Sequence, residues 1–187
     1  NRTVPTPIYR NDASLLNGNK QLAATASGGV GMSLDMTYFQ DADGRSYYAW
    51  QQLGATYIAT IDPKDPAHVT SSPVRIVTPE YAWNAAIAEG PNVTLRDGKL
   101  YLMFSGSGVG KTYTTGLAVA DASGTDLTDP ASWTVLNYPI QKSGPFNGEM
   151  QLGTGHGMWS EDEDGNQIYV FHAYATKNLG SVNAAGR

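Results

Sequence analysis

DMTYFQDADG at 35–44, EGPNVTLRDG at 89–98 and HGMWSEDEDG at 156–165 are three copies of one pattern. Each opens on an ionisable residue, continues as a candidate strand, and closes nine residues later on the glycine of an Asp-Gly turn. Asp tolerates unusual backbone angles and Gly supplies positive φ, so each copy predicts a strand entering a hairpin turn. The copies begin 54 and then 67 residues apart, at 35, 89 and 156. A strand-turn-strand unit recurring in this way marks radial or solenoid β architecture, because one small sheet cannot bury its faces without a neighbour. Equivalent positions of such units converge, which singles out Asp35, Glu89 and His156.

Outward from the first copy, strands are predicted at 35–40, 45–52, 55–61 and 74–77, the last following a DPKDP loop. The second copy repeats the order at 91–96, 99–106, 112–120 and 133–136, and the DPASW before its last strand echoes DPAHV in the first. The third has strands around 157–161 and at 167–174. Four antiparallel strands make one propeller blade. The expectation is an all-β chain with blades at 35–88 and 89–155 and an incomplete blade at 156–187. Residues 1–34 carry an Asn17-Gly18 turn signal and a flexible SGGVG stretch, and read as a linker or the outer part of a preceding blade. A chain ending on AAGR leaves an open sheet edge, a liability that complete propellers shield, so further polypeptide is expected.

Composition agrees. The 187 residues include 21 Gly, 10 Pro, 11 Tyr and 4 Trp, a balance favouring turns and strands over helices. Charged residues make up 16% and the net charge is −5, so no basic field exists to collect nucleic-acid phosphates, and neutral or polar ligands suit the chain better. The absence of cysteine excludes disulfides and thiolate metal sites. No segment approaches the roughly 18 consecutive apolar residues of a membrane-crossing helix, and no membrane partner is expected. The chain begins at Asn1 with no signal-peptide pattern, which leaves secreted and cytoplasmic locations both open.

Two further motifs carry little. SGSGVGKT at 105–112 approaches a phosphate-binding loop, but Ser105 replaces the first required glycine, and TYTTGLAVA after it reads as a strand rather than a phosphate-cradling helix. Asn1-Arg2-Thr3 and Asn92-Val93-Thr94 fit the glycosylation sequon, the second inside a predicted inner strand.

SLDMTYFQDADGRSYYAWQQ, TPEYAW, AEGPNVTLRDGKLYLMFSGSG, LTDPASW and GTGHGMWSEDEDGNQIYVFHA, in that order, resemble the later blades of glycoside hydrolase family 43, and its arabinofuranosidase-like enzymes most. The resemblance covers nearly all of residues 31–174. It implies a five-bladed propeller with a funnel-shaped site on its axis, and inverting hydrolysis of terminal arabinofuranosyl or xylosyl groups of an oligosaccharide. By the same resemblance Glu89 matches the general acid. Asp35 matches the carboxylate that tunes the acid's pKa and helps hold substrate. His156 matches an axial histidine beside a bound ion, such as calcium, or a water cluster; no other cofactor is implied. The family's general base lies on an earlier blade, so no residue here inherits that role, and the remainder of the propeller is an expected partner. The sequence departs from the family at GTGHGMW and at Asn84, where a glutamate is common.

The chemistry stands beside the resemblance. An inverting glycosidase needs one carboxylic acid for the leaving oxygen and one carboxylate to activate water, about 6.5–9.5 Å apart. An acid that must stay protonated near neutral pH is helped by a second negative charge nearby. Tyr81 and Trp83, in a Pro-led loop before Glu89, are candidates to stack on a sugar face or to pack in the core. A single histidine such as His156 is a weak metal signal, since calcium prefers several oxygens. His172 is expected to be structural and His68 to lie on a surface loop. Asp41, Asp43, Asp97, Asp162 and Asp164 belong to turns. The alternatives to an arabinofuranosidase are a carbohydrate-binding or inactive propeller and a relative acting on xylosides or internal arabinan bonds.

Overall fold

The computed structural model describes residues 33–175. Expectations for 1–32 and 176–187, including Asn17-Gly18 and the Asn1 sequon, lie outside the described residues. Three antiparallel sheets follow one another along the chain. The first contains β1 (Leu34–Gln40), β2 (Ser46–Gln52), β3 (Ala55–Asp62), β4 (Asp65–Val69) and β5 (Val74–Val77). The order is β1-β2-β3-β4, and β5 also pairs with β3. The second holds β6 (Ala88–Arg96), β7 (Lys99–Gly106), β8 (Thr114–Asp121) and β9 (Thr134–Val135) in chain order. The third holds β10 (Gly144–Phe146), β11 (Glu149–Glu161) and β12 (Gln167–Ala175). β6 packs against both β1 and β11, so the strands that open the three repeats meet one another and the sheets radiate outward as propeller blades.

The repeat extends to its hydrogen bonds. In DADGR, the Asp41 Oδ1 accepts from the amides of Asp43 (3.0 Å) and Arg45 (2.8 Å). In DEDGN, the Asp162 Oδ1 accepts from Asp164 (3.0 Å) and Asn166 (2.8 Å) in the same way. The middle copy is tighter: Asp97 and Gly98 both take positive φ, 49° and 73°, as a two-residue type I′ hairpin requires.

The first two sheets share an apolar core. Phe39, Tyr47, Ala49, Ile58, Ile76 and Val77 of the first meet Leu100, Leu102, Phe104, Ala118 and Ala120 of the second, all buried. Alternate residues of the first sheet, including Tyr48, Trp50, Tyr57 and Ile61, form a second cluster, which is why β2 is buried along almost its whole length. The second and third sheets are joined differently, by polar bonds. The Asn92 side chain accepts from the Trp159 amide (2.8 Å), the Trp159 indole donates to Tyr101 O (3.2 Å), and Gln167 donates to Thr94 (2.9 Å). Asn92 of the second sequon is thus occupied inside the propeller.

Several local expectations are corrected. Half of the expected DPKDP loop is strand: Asp62 pairs with Asp65, and β4 folds back along β3. The echo between DPAHV and DPASW is not structural, because Asp129 accepts from the Ala131 amide (2.9 Å) and caps a 3-10 turn at Pro130–Ser132. β11 starts well before residue 157, and β10 joins it from upstream. His68 lies on β4 rather than a loop, with its Nδ1 3.0 Å from the Asp65 carboxylate. After SGSGVGKT the chain enters strand β8, as the sequence predicts.

Candidate active site

Each innermost strand is interrupted at the repeated position. Register shifts fall between Leu34 and Thr37 in β1, between Glu89 and Asn92 in β6, and between Gly155 and Met158 in β11. A bulge of this kind leaves residues unpaired and re-aims their side chains. The left-handed backbone appears at the same places: Asp35 at φ 58°, Gly90 at 59° and His156 at 47°. For Asp35 and His156, which carry a Cβ, that conformation costs about 1–2 kcal/mol each, a strain typical of functional positions.

The bulges bring the three sequence-predicted residues together. A cavity of about 490 Å³ is lined by Asp35, Glu89 and His156, with Leu34, Val109, His172 and Tyr174. The Asp35 Oδ2 accepts from the amide of Gly90, beside Glu89, at 3.1 Å, so the first blade's carboxylate is tied to the second blade at the acid. Its Oδ1 lies 3.8 Å from His156 Nε2, an ion pair when the imidazole is protonated. The His156 amide donates to Ser105 Oγ at 2.7 Å. Ser105 is the direct cross-strand partner of Glu89.

Tyr113, which precedes β8, joins these groups. Its hydroxyl donates to Glu89 Oε1 at 2.6 Å and lies 3.3 Å from His156 Nδ1. Its ring is fully buried against Gly155, where a Cβ would come within 2.5 Å of it, and tilts on the His172 imidazole at 5.6 Å. Burial, with the hydrogen bond to Glu89 second, pushes the phenol well above its ordinary range, so it keeps its proton. Within GTGHGMW, Gly155 makes room for the ring of Tyr113, and Gly157, at a position of departure, for the ring of Tyr169.

Tyr81 and Trp83 stand elsewhere. Trp83 stacks on Phe104 (6.0 Å) and on Tyr81 (6.2 Å) and lies over Gly106 and Gly116, while its indole donates to Asn137 O at 3.1 Å. It lines a separate hollow of about 500 Å³ with Ser107, Lys111, Thr112 and Lys142, away from Glu89. Asn84 is fully buried and folds the loop, its Oδ1 accepting from the Tyr81 amide at 3.1 Å. His172, expected to be structural, lines the axial cavity opposite Gly155.

Sequence reasoning missed Tyr113, Ser105 and His172. Hairpin arithmetic comes within one residue of two of them: counting back from the turns places Gly106 across from Glu89 and Ala173 across from Gly155, and the bulges shift each partner by one, to Ser105 and His172. Nothing in sequence marks Tyr113. Among the described residues no group of three or more His, Asp or Glu side chains is placed to hold a metal. Calcium takes six to eight oxygens, and Asp35 and His156 alone do not fit it.

A carboxylate pair and a histidine gather where the inner strands of the blades meet, which defines a β-propeller protein with an ionisable axial site. The comparisons make this specific. Residues 19–187 match the model of glycosyl hydrolases family 43, and the chain belongs to that family. An extracellular exo-α-(1→5)-L-arabinofuranosidase of Streptomyces chartreusis is 33% identical over 159 residues, covering 79% of this chain and 46% of that protein. α-L-Arabinofuranosidase 43 of Humicola insolens is 32% identical over 152 residues, 75% of this chain and 30% of that protein. The crystal structure of an α-L-arabinofuranosidase from Lactobacillus brevis superposes with a TM-score of 0.73 at 28% identity, covering 83% of this chain and 50% of the other. The chain thus spans about half the length, or less, of these relatives.

Proposed function

We propose that the protein carrying this chain is an exo-acting α-L-arabinofuranosidase that removes terminal arabinofuranosyl groups from oligosaccharides or polysaccharides with inversion. The observation that carries the reading is the convergence of Glu89, Asp35 and His156 on one cavity through matching bulges of three strands. The names of the relatives supply the sugar.

In this reading Glu89 gives its proton to the glycosidic oxygen. Asp35, anchored on Gly90 N–H, is the second negative charge beside the acid and a ligand for sugar hydroxyls. His156, braced by Ser105, faces the same space. The water-activating base comes from polypeptide outside the described residues.

The test is turnover of aryl α-L-arabinofuranoside and β-xyloside by the protein and by Glu89→Ala. Removing the acid should lower kcat on a natural arabinoside by about 10²–10⁴-fold, in line with general acid catalysis. Unchanged turnover of the natural arabinoside in Glu89→Ala, or faster cleavage of the xyloside than of the arabinofuranoside by the intact protein, would refute the assignment. Sugar binding without turnover by the intact protein would favour the binding-module reading instead.

A further inference from the structure

We propose that Tyr113 positions the acid: its proton is committed to Glu89 Oε1, which leaves Oε2 as the oxygen that delivers a proton to the leaving group. This rests on Glu89 being the acid, and the experiment below separates the two.

Tyr113 has one proton to give. At 2.6 Å the Glu89 oxygen is its closer partner, and hydrogen bonds to a carboxylate are the stronger kind. Ser105 Oγ accepts from the His156 amide at 2.7 Å and so holds the histidine beside the phenol. The phenol therefore donates to Glu89, and His156 Nδ1, at 3.3 Å, meets its oxygen as an N–H donor. Two blades fix one hydroxyl. The ring has no room to swing, being packed on Gly155 and beside His172.

The proton balance follows. The O–H bond on Glu89 Oε2 breaks as the glycosidic oxygen takes the proton and its bond to the anomeric carbon opens. Water adds to that carbon from the other face and loses its proton to a carboxylate base elsewhere in the polypeptide. Glu89 is left as a carboxylate with Tyr113 still donating to Oε1, so the hydrogen bond supports the charge that forms. Asp35, His156, His172 and Tyr174 also face the cavity, which makes leaving-group dependence a cleaner readout than pH.

Tyr113→Phe keeps the ring and removes the proton. Its kcat on an arabinofuranosyl disaccharide should fall about 10- to 100-fold with KM nearly unchanged, a fraction of a full general-acid contribution. On dinitrophenyl α-L-arabinofuranoside, whose leaving group departs without a proton, the loss should be under about 3-fold, because acid catalysis is not needed there. Equal losses on both substrates, or none, would overturn the proposal. Glu89→Gln runs in parallel. If it discriminates between the substrates and Tyr113→Phe does not, the Tyr113 role falls alone; if neither discriminates, both readings fall. Should Tyr113→Phe fail to fold, Ser105→Ala leaves the ring in place, releases the His156 amide that holds the imidazole beside the phenol, and should show the same selectivity more weakly; its absence would count against Tyr113.

Discussion

Gly90 makes the axial arrangement possible at the level of a single residue. It holds φ at 59°, donates its amide to Asp35, and leaves space for the His156 ring, whose Nδ1 would stand 3.2 Å from an added Cβ. Gly90→Ala meets both penalties, the left-handed backbone and the crowded imidazole. It should lower stability by about 1–2 kcal/mol in urea titration, the usual cost of placing a side chain in that conformation. A variant as stable as the parent would show that the strand turns differently at Glu89. Asp35 and His156 accept the same backbone strain without glycine's freedom, and they line the cavity.

At the level of elements, the turns do more than reverse the chain. The Asp43 carboxylate accepts from Ser123 Oγ (2.7 Å) and the Gly124 amide (2.8 Å), and Arg45 donates to Thr125 O (2.6 Å), so the first blade's hairpin clasps the end of β8. These hydrogen bonds, Ser123 first and Gly124 second, hold the Asp43 pKa below its ordinary 3.8. A carboxylate that is more acidic in the folded state stabilises above its unfolded value and loses that contribution as pH falls through the folded one. Asp43→Asn mimics the protonated form. It should melt below the parent at pH 7, and the gap should close as pH drops below 3.8. A gap that persists in acid would assign the clasp to geometry rather than charge. The sequence reads Asp43 as a turn residue, and it lies in the turn between β1 and β2, but its bond to a neighbouring blade is invisible there because the partner lies 80 residues away.

For the whole molecule, the three blades form an arc whose bounding strands are apolar. Leu34, Met36 and Tyr38 are exposed on β1, and Met158, Ile168 and Val170 on β11 and β12. Met158 is the direct partner of Val170, so the latter three share one face. Contiguous apolar surface of this kind promotes association. The 187-residue chain on its own should self-associate as concentration rises, and Val170→Lys should shift it toward monomer in sedimentation velocity. A monomer at all concentrations would mean that these faces are covered.

The sequence by itself determined the repeat, the hairpin turns, most strands, and the convergence of Asp35, Glu89 and His156. These follow from alternation, Asp-Gly chemistry and spacing, all of which are local. Tertiary structure alone decided that Tyr113 joins Glu89 to His156, that Ser105 and His172 belong to the site, and that Trp83 packs over Gly106 and Gly116 away from the acid. Those contacts depend on bulges that shift register by a residue, on Tyr113 reaching Glu89 from 24 positions away within one blade, and on sheets meeting across 43 to 51 positions of chain. A side chain's partner across a blade boundary is set by how two sheets pack, and no pattern within either strand records it.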